Sequence, residues 1–155
     1  PCTTCWKLFS NIVFGTDFSK AADYAYKWAY SLAKQVGARL HLFHACDIDT
    51  TAAGMVMGQA EIENQIQKAR KKIETRYIAK MNGYDNYEIE VREGIPYVEI
   101  LKFAREKTGD LIVMAHHTRE VDPEKAVLGS TVEQVVLRSA CPVASVNHPD
   151  KVADL

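Results

Sequence analysis

The period of the apolar positions changes several times along the chain, and each change marks an element. The run Leu8-Phe9-Ser10-Asn11-Ile12-Val13-Phe14, closed by Gly15-Thr16-Asp17, predicts a buried strand. Ala22, Ala25, Ala29, Leu32 and Val36 then recur at three- and four-residue spacing, which predicts an amphipathic helix over 19–36 with Gly37 as its left-handed stop. A second strand follows from Arg39 to Cys46, and 47–58 has small and polar residues without a period, as in a mobile loop. Ile62, Ile66, Ala69, Ile73 and Tyr77 mark one face of a long charged helix over 60–81, closed by Asn82-Gly83.

In the second half, Tyr87, Ile89 and Val91 alternate with Glu88, Glu90 and Arg92, the pattern of an outer strand with one wet face. Gly94 and Pro96 lead into a helix carrying Val98, Leu101, Phe103 and Ala104, which ends at Thr108-Gly109-Asp110. Leu111 to Ala115 is a fully apolar strand, and 116–125 is polar. A last helix with Val132, Val135 and Val136 precedes a closing strand, Val143 to Val146. Strands alternating with helices in this way predict an α/β fold with a doubly wound parallel sheet and right-handed crossovers. In such sheets ligands sit beyond the carboxyl ends of the strands, which directs attention to 15–19, 45–47, 115–119 and 129–131.

Composition narrows the classes. The 155 residues are 47% hydrophobic and 25% charged, as in an ordinary globular protein, and one domain over 1–155 is expected, with 1–7 as a flexible extension. A net charge of −1 offers no basic excess for nucleic acid or anionic lipid. No apolar run approaches the roughly 18 residues that span a bilayer, and 1–10 lacks the order of a secretory signal, so a cytoplasmic protein without a membrane partner is expected. Four cysteines are too few and too scattered for a secreted disulfide scaffold.

Four patterns in order carry a resemblance: Ile12-Val13-Phe14-Gly15-Thr16-Asp17-Phe18-Ser19, Leu42-Phe43-His44-Ala45, Arg92-Glu93-Gly94-Ile95-Pro96, and Leu128-Gly129-Ser130-Thr131-Val132-Glu133 running to Ala140-Cys141-Pro142-Val143. Over 8–146 the chain resembles the universal stress protein family. The resemblance implies a five-stranded sheet of order 3-2-1-4-5, of the adenine-nucleotide alpha-hydrolase-like type. It also implies homodimers through the last strand (Val143, Ala144, Ser145, Val146), an unidentified protein partner, and ATP or another adenine nucleotide, with magnesium, as ligand.

Carried over by residue, the resemblance implies that Asp17 lies against the adenosine, with Gly15 and Thr16 beside it in the loop. Ala45 reads the adenine edge through its backbone, and Met114 and Ala115 flank the ribose. Gly129, Ser130 and Thr131 form the phosphate turn. Ala115 and Thr118 stand where the family's ATP-binding branch has glycines, and ten residues rather than nine separate Thr118 from Gly129. A threonine in such a turn brings a branched Cβ into phosphate space and disfavours positive φ. That departure favours an alternative, a nucleotide-independent interaction protein of the same fold. The start of a helix at Ser130 still offers N–H groups to an anion, and Lys20, Arg119 and Lys125 are the candidate cations.

Other chemistry is sparse. Ser130 with Glu133 also reads as a capping box, and Asp17 as a turn residue. Cys2-Thr3-Thr4-Cys5 has redox or half-zinc-site spacing without a second ligand pair, the basis of a third reading as a thiol or metal sensor. His44, Cys46, His116 and His117 all follow strand ends and are the remaining metal candidates. There is no nucleophile elbow or Walker loop, so no catalytic residues are assigned and any ATP hydrolysis is expected to be incidental. Lys68, Arg70, Lys71, Lys72 and Arg76 are interspersed with Glu61, Glu63 and Glu74, as on a solvated helix face.

Overall fold

A computed structural model describes residues 8–47, 57–116 and 130–146. Among these, β1 (Asn11–Gly15), α1 (Lys20–Val36), β2 (Arg39–Cys46), α2 (Gln59–Arg76), β3 (Tyr87–Glu93), α3 (Pro96–Glu106), β4 (Leu111–Ala115), α4 (Ser130–Arg138) and β5 (Val143–Val146) follow in order. All four strand pairings are parallel and the sheet order is β3-β2-β1-β4-β5. The expected doubly wound sheet of order 3-2-1-4-5 is therefore present. Residues 1–7, with Cys2 and Cys5, lie outside the described residues, as do most of the 47–58 loop and the segment holding His117, Thr118, Arg119, Lys125 and Gly129.

The sheet separates two apolar clusters. Ile12, Phe14, Leu40 and Leu42 face α1 and α2, while Val13, Phe43 and Ile112 face α3 and α4. The continuous apolar runs of β1 and β4 thus reflect strands covered on both faces. Alanines 22, 25, 29 and 33 form the buried stripe of α1 and let that helix approach the sheet closely. Ser19 caps α1 by accepting from the Ala22 N–H at 3.1 Å, and Gly37 ends it at φ 70°, as the pattern predicts.

Two boundaries differ from the pattern. β1 begins at Asn11 rather than at Leu8, which is 74% exposed; the Asp110 carboxylate accepts from the Ser10 and Asn11 N–H groups at 2.7 and 2.8 Å and takes the donors a longer strand would use. The second long helix stops at Arg76, and a short 3₁₀ turn, Ile78–Lys80, follows it. Its continuation is diverted by α1. The Tyr26 hydroxyl donates to the Tyr77 carbonyl at 2.9 Å, and the Tyr30 hydroxyl to the Met81 carbonyl at 2.7 Å. Those two acceptors are thereby satisfied by side chains one helical turn apart on a neighbouring element, inside a cluster where Phe14, Tyr26 and Tyr77 rings lie 4.7 to 5.8 Å apart.

On the other face, His41 is 2% exposed. Its Nε2 lies 3.0 Å from the Asn11 side-chain oxygen, and its Nδ1 lies 3.2 Å from a Glu88 carboxylate oxygen but without hydrogen-bond alignment. Burial holds this imidazole below the usual histidine range, against the opposing pull of Glu88. Edge strand β3 carries its charges in pairs, with Arg92 bridging Glu90 and Glu106 and Lys107 meeting Glu88 at 2.8 Å. Opposite edge β5 ends the sheet next to α4, whose Val136 and Leu137 are exposed, Leu137 by 69%. Val136 therefore does not join Val132 and Val135 in the core, unlike the sequence pattern.

Candidate functional site

The chain leaves β1 through Thr16, Asp17 and Phe18, and hydrogen bonds hold this loop firmly. Thr16 is only 6% exposed. Its N–H donates to the Phe43 carbonyl at 2.9 Å, its carbonyl lies 2.7 Å from His44 Nδ1, and its hydroxyl lies 2.7 Å from the Tyr77 hydroxyl. The same hydroxyl oxygen accepts from the Phe18 N–H at 3.0 Å, and Asp17 Oδ1 accepts from the Ser19 N–H at 2.9 Å. Phe18 has φ 62°, a left-handed conformation uncommon for a bulky residue, and these bonds on either side of it hold it there. Asp17 is thus a turn residue, as one reading has it, and also an exposed carboxylate at the mouth of the strand ends.

His44 lies near the carboxyl end of β2, the strand next to β1. A carbonyl accepts only, so Nδ1 carries the hydrogen and the neutral tautomer is set by Thr16. Burial keeps the ring below the usual histidine range; the bond to Thr16 and the Asp17 charge pull the other way, while Lys72 adds to the depression. The ring also packs on Phe18 with centroids 4.5 Å apart, and Lys72 Nζ lies 4.4 Å above the Phe18 ring.

Between these segments and α3 and α4 opens a cleft of about 250 Å³ at the carboxyl ends of β1, β2 and β4. Seven of the residues singled out from the sequence line it: Gly15, Thr16, Asp17, Ala45, Met114, Ala115 and Thr131. Ser130 opens α4 immediately before Thr131, while Thr118 and Gly129 lie outside the described residues. Lys20 is exposed and does not line the cleft. His44 and His116, weighed above as metal candidates, are both on the wall. Among the described residues no three His, Cys, Asp or Glu side chains gather to hold a metal ion.

Pattern reading missed the apolar wall formed by Phe43, Pro96, Ile100 and Val132. Ile100 lies one turn after Pro96 on the helix face turned to the sheet, so helical spacing gave a weak signal for it. Gly15 explains its closeness: a Cβ at that position would sit 2.6 Å from Ile100 Cδ1. Glycine at the end of β1 thus lets α3 close the cleft against the strand. His116 directly follows β4, where the strand-end rule points, and is tied to β5 by its main-chain N–H to the Val146 carbonyl (3.2 Å) and by Nδ1 at 2.7 Å from Ser145 Oγ.

The cleft pairs an apolar slot with a rim that, among the described residues, bears one carboxylate, two imidazoles and the first turn of a helix. That is the donor set for a ligand with an aromatic body and a polar, anionic end. No helix among the described residues is long and apolar enough to cross a membrane.

Comparison with known proteins agrees with the topology. The universal stress protein MJ0531 of Methanocaldococcus jannaschii is 32% identical over 146 residues, covering 93% of this chain and 85% of its own. A universal stress protein solved in complex with cAMP superposes with a TM-score of 0.66 at 21% identity, over 90% of this chain and 97% of that one. The universal stress protein of Archaeoglobus fulgidus solved in complex with dAMP gives a TM-score of 0.58 at 19% identity, over 90% and 98%. The model of the Universal stress protein family matches residues 8–147, and the chain belongs to that family.

Proposed function

We propose that this protein is a stress-response binding module whose strand-end cleft takes an adenine nucleotide, ATP with magnesium or a nucleotide with fewer phosphates. The observation that carries the reading is the convergence of Gly15, Asp17, Ala45, Met114, Ala115 and Thr131, from four separate segments, on one cleft of about 250 Å³. The adenine ring enters the apolar slot beside Ala45 and Ile100. Asp17 lies against the ribose hydroxyls, and the phosphate reaches the first turn of α4. Two family members of the same fold, solved with cAMP and dAMP, support the choice of base. The role is regulatory: a ligand that orders the loops after β1, β2 and β4 changes the surface offered to a protein partner in the cytoplasm.

A second reading, a nucleotide-independent interaction protein, is favoured by Ala115 and Thr118 in place of glycines and by the exposed Val136 and Leu137 beside edge strand β5. On either reading two copies pair along β5, which among the described residues ends the sheet at Val143–Val146 with no strand on its outer side.

Mass spectrometry of the freshly purified, denatured protein, followed by calorimetric titration of the emptied protein, separates the two. Recovered adenine nucleotide, or micromolar binding that is lost when Ala45→Phe fills the slot, supports the first reading. No nucleotide and no heat up to millimolar ligand leaves the second.

A further inference from the structure

The ion pair of Asp23 with Arg76 fixes the seam between α1 and the last turns of α2: Arg76 Nε and Nη2 donate to the two carboxylate oxygens at 2.7 and 2.8 Å. Arg76 Nη2 also donates to the Ser19 carbonyl at 3.4 Å, and one turn earlier on α2 Lys72 Nζ lies 4.4 Å above the Phe18 ring. These contacts set the row Lys68, Lys72 and Arg76, at four-residue spacing on α2, alongside the start of α1. On α1, Lys20 and Lys27 stand three residues before and four residues after Asp23, on the same side of that helix. Lys20, Lys68 and Lys72 are exposed and Lys27 is half-buried. Asp23 is already taken by Arg76, and among the described residues none of the four lysines makes an ion pair. Even with Asp17 counted at the near end of the seam, the five cations exceed the carboxylates.

The helix itself does not account for this row. A helix C-terminus favours cations in its last turn, which covers Arg76 but neither Lys72 nor Lys68. Like charges four residues apart repel, so the row is unfavourable to α2 alone. Glu74 stands between Lys72 and Arg76 in sequence, but at two residues from each it lies about 160° round the helix from both. Glu61 shares the side of Lys68 and sits about 10 Å before it along the axis. The acids that intersperse these cations in sequence are thus separated from the row in space.

We propose that the seam between α1 and α2 is a docking surface for an acidic segment of a partner protein. The cations of the α2 row recur about every 6 Å, close to the interval at which an extended segment repeats its alternate side chains, so Glu or Asp at alternate positions meets the row in register. A nucleic acid fits less well, because beyond the seam it meets the field of a chain whose net charge is −1. A membrane surface needs apolar side chains among the cations, and none of the exposed large apolar residues, Leu8, Val36, Ile95, Val136 and Leu137, belongs to the seam. Through Lys72 on Phe18 and Arg76 on Ser19, a segment seated here touches the loop that carries Asp17 to the cleft. It supplies the partner surface of the regulatory role proposed above, and the docking itself stands whatever the cleft holds.

Fluorescence anisotropy on the full chain at low salt, without added nucleotide, tests this with a labelled peptide of alternating glutamate and serine, the same peptide with glutamine for glutamate, and a single-stranded oligonucleotide. Co-sedimentation with phosphatidylserine vesicles tests the membrane. The double variant Lys68→Gln, Lys72→Gln is compared with Lys102→Gln, Arg105→Gln, which removes two exposed cations from α3 on the other face of the sheet. The glutamate peptide is expected to bind and the glutamine peptide not, with an affinity that falls about fivefold in the α2 variant and holds in the α3 variant. Amide chemical shifts on peptide addition are expected to move within 18–27 and 68–76. An equal loss in the α3 variant, shifts that move elsewhere, tighter binding of the oligonucleotide or the vesicles, or no binding of the glutamate peptide up to millimolar overturns the docking surface. The adenine reading survives each of these results and is tested by its own titration.

Discussion

The hydroxyls of Tyr77 and Thr16, sixty-one residues apart in sequence, share a hydrogen bond of 2.7 Å. It joins the end of α2 to the loop that carries Asp17, so the packing of a helix on the sheet reaches the rim of the ligand cleft. Burial pushes the Tyr77 hydroxyl up to about 12, so it stays protonated at neutral pH and either hydroxyl can donate to the other. Tyr77→Phe keeps the ring in the aromatic cluster and removes this one bond. Urea unfolding is expected to show a loss of about 1 kcal/mol, the usual net worth of a buried hydrogen bond. Nucleotide affinity falls as well, because Thr16 loses the anchor of its side chain.

His44 does for the Thr16 carbonyl what Tyr77 does for its hydroxyl. His44→Ala leaves that carbonyl unmet and costs about 1–2 kcal/mol, whereas the amide N–H of His44→Asn recovers part of the loss. Chemical denaturation of the three proteins side by side measures the difference.

Acid has a defined effect. Burial lowers the folded-state pKa of both His41 and His44, so in the window from about pH 6.5 down to their folded values the unfolded chain binds more protons than the native one. More protons on the unfolded state means that stability rises with pH. The wild type is therefore expected to lose stability as the pH drops from 7 to 5, before most carboxylates titrate, and His44→Asn to show a shallower slope. A slope unchanged in that variant assigns the effect to His41 and other groups.

Gly15 and Ile100 set the depth of the slot. In Gly15→Ala the new Cβ displaces Ile100 Cδ1 from a position 2.6 Å away, and the ring slot is where the side chain has room to turn. Overpacking of this kind costs about 1–3 kcal/mol, and ligand affinity is expected to fall by about tenfold. The double variant Gly15→Ala, Ile100→Val removes the clashing methyl and restores both quantities toward wild type. A double variant no better than Gly15→Ala places the damage elsewhere in the loop.

Leu137 is 69% exposed on the helix that precedes β5. If copies pair along β5, light scattering at tens of micromolar gives a dimer for the wild type, and Leu137→Glu shifts it to monomer by about tenfold or more in dissociation constant with little change in the unfolding midpoint. A wild-type monomer under these conditions removes the dimer.

The order of strands and helices was legible in the sequence because apolar period is a local property: Ile12-Val13-Phe14 and Leu111 to Ala115 read as buried strands without any knowledge of their neighbours. The strand-end rule then pointed to Gly15, Asp17, Ala45 and Ala115 before any cleft was visible, since in a parallel sheet wound on both faces the carboxyl ends must gather on one side. Tertiary structure alone decided that α2 stops at Arg76, because the tyrosine hydroxyls that take the following carbonyls belong to α1. Only the fold, too, made Ile100 part of the slot wall, tied His44 to Thr16 and put His116 and Thr131 on the same cleft. Each of these depends on the distance between side chains on elements remote in sequence, which packing sets and the period of one segment does not contain.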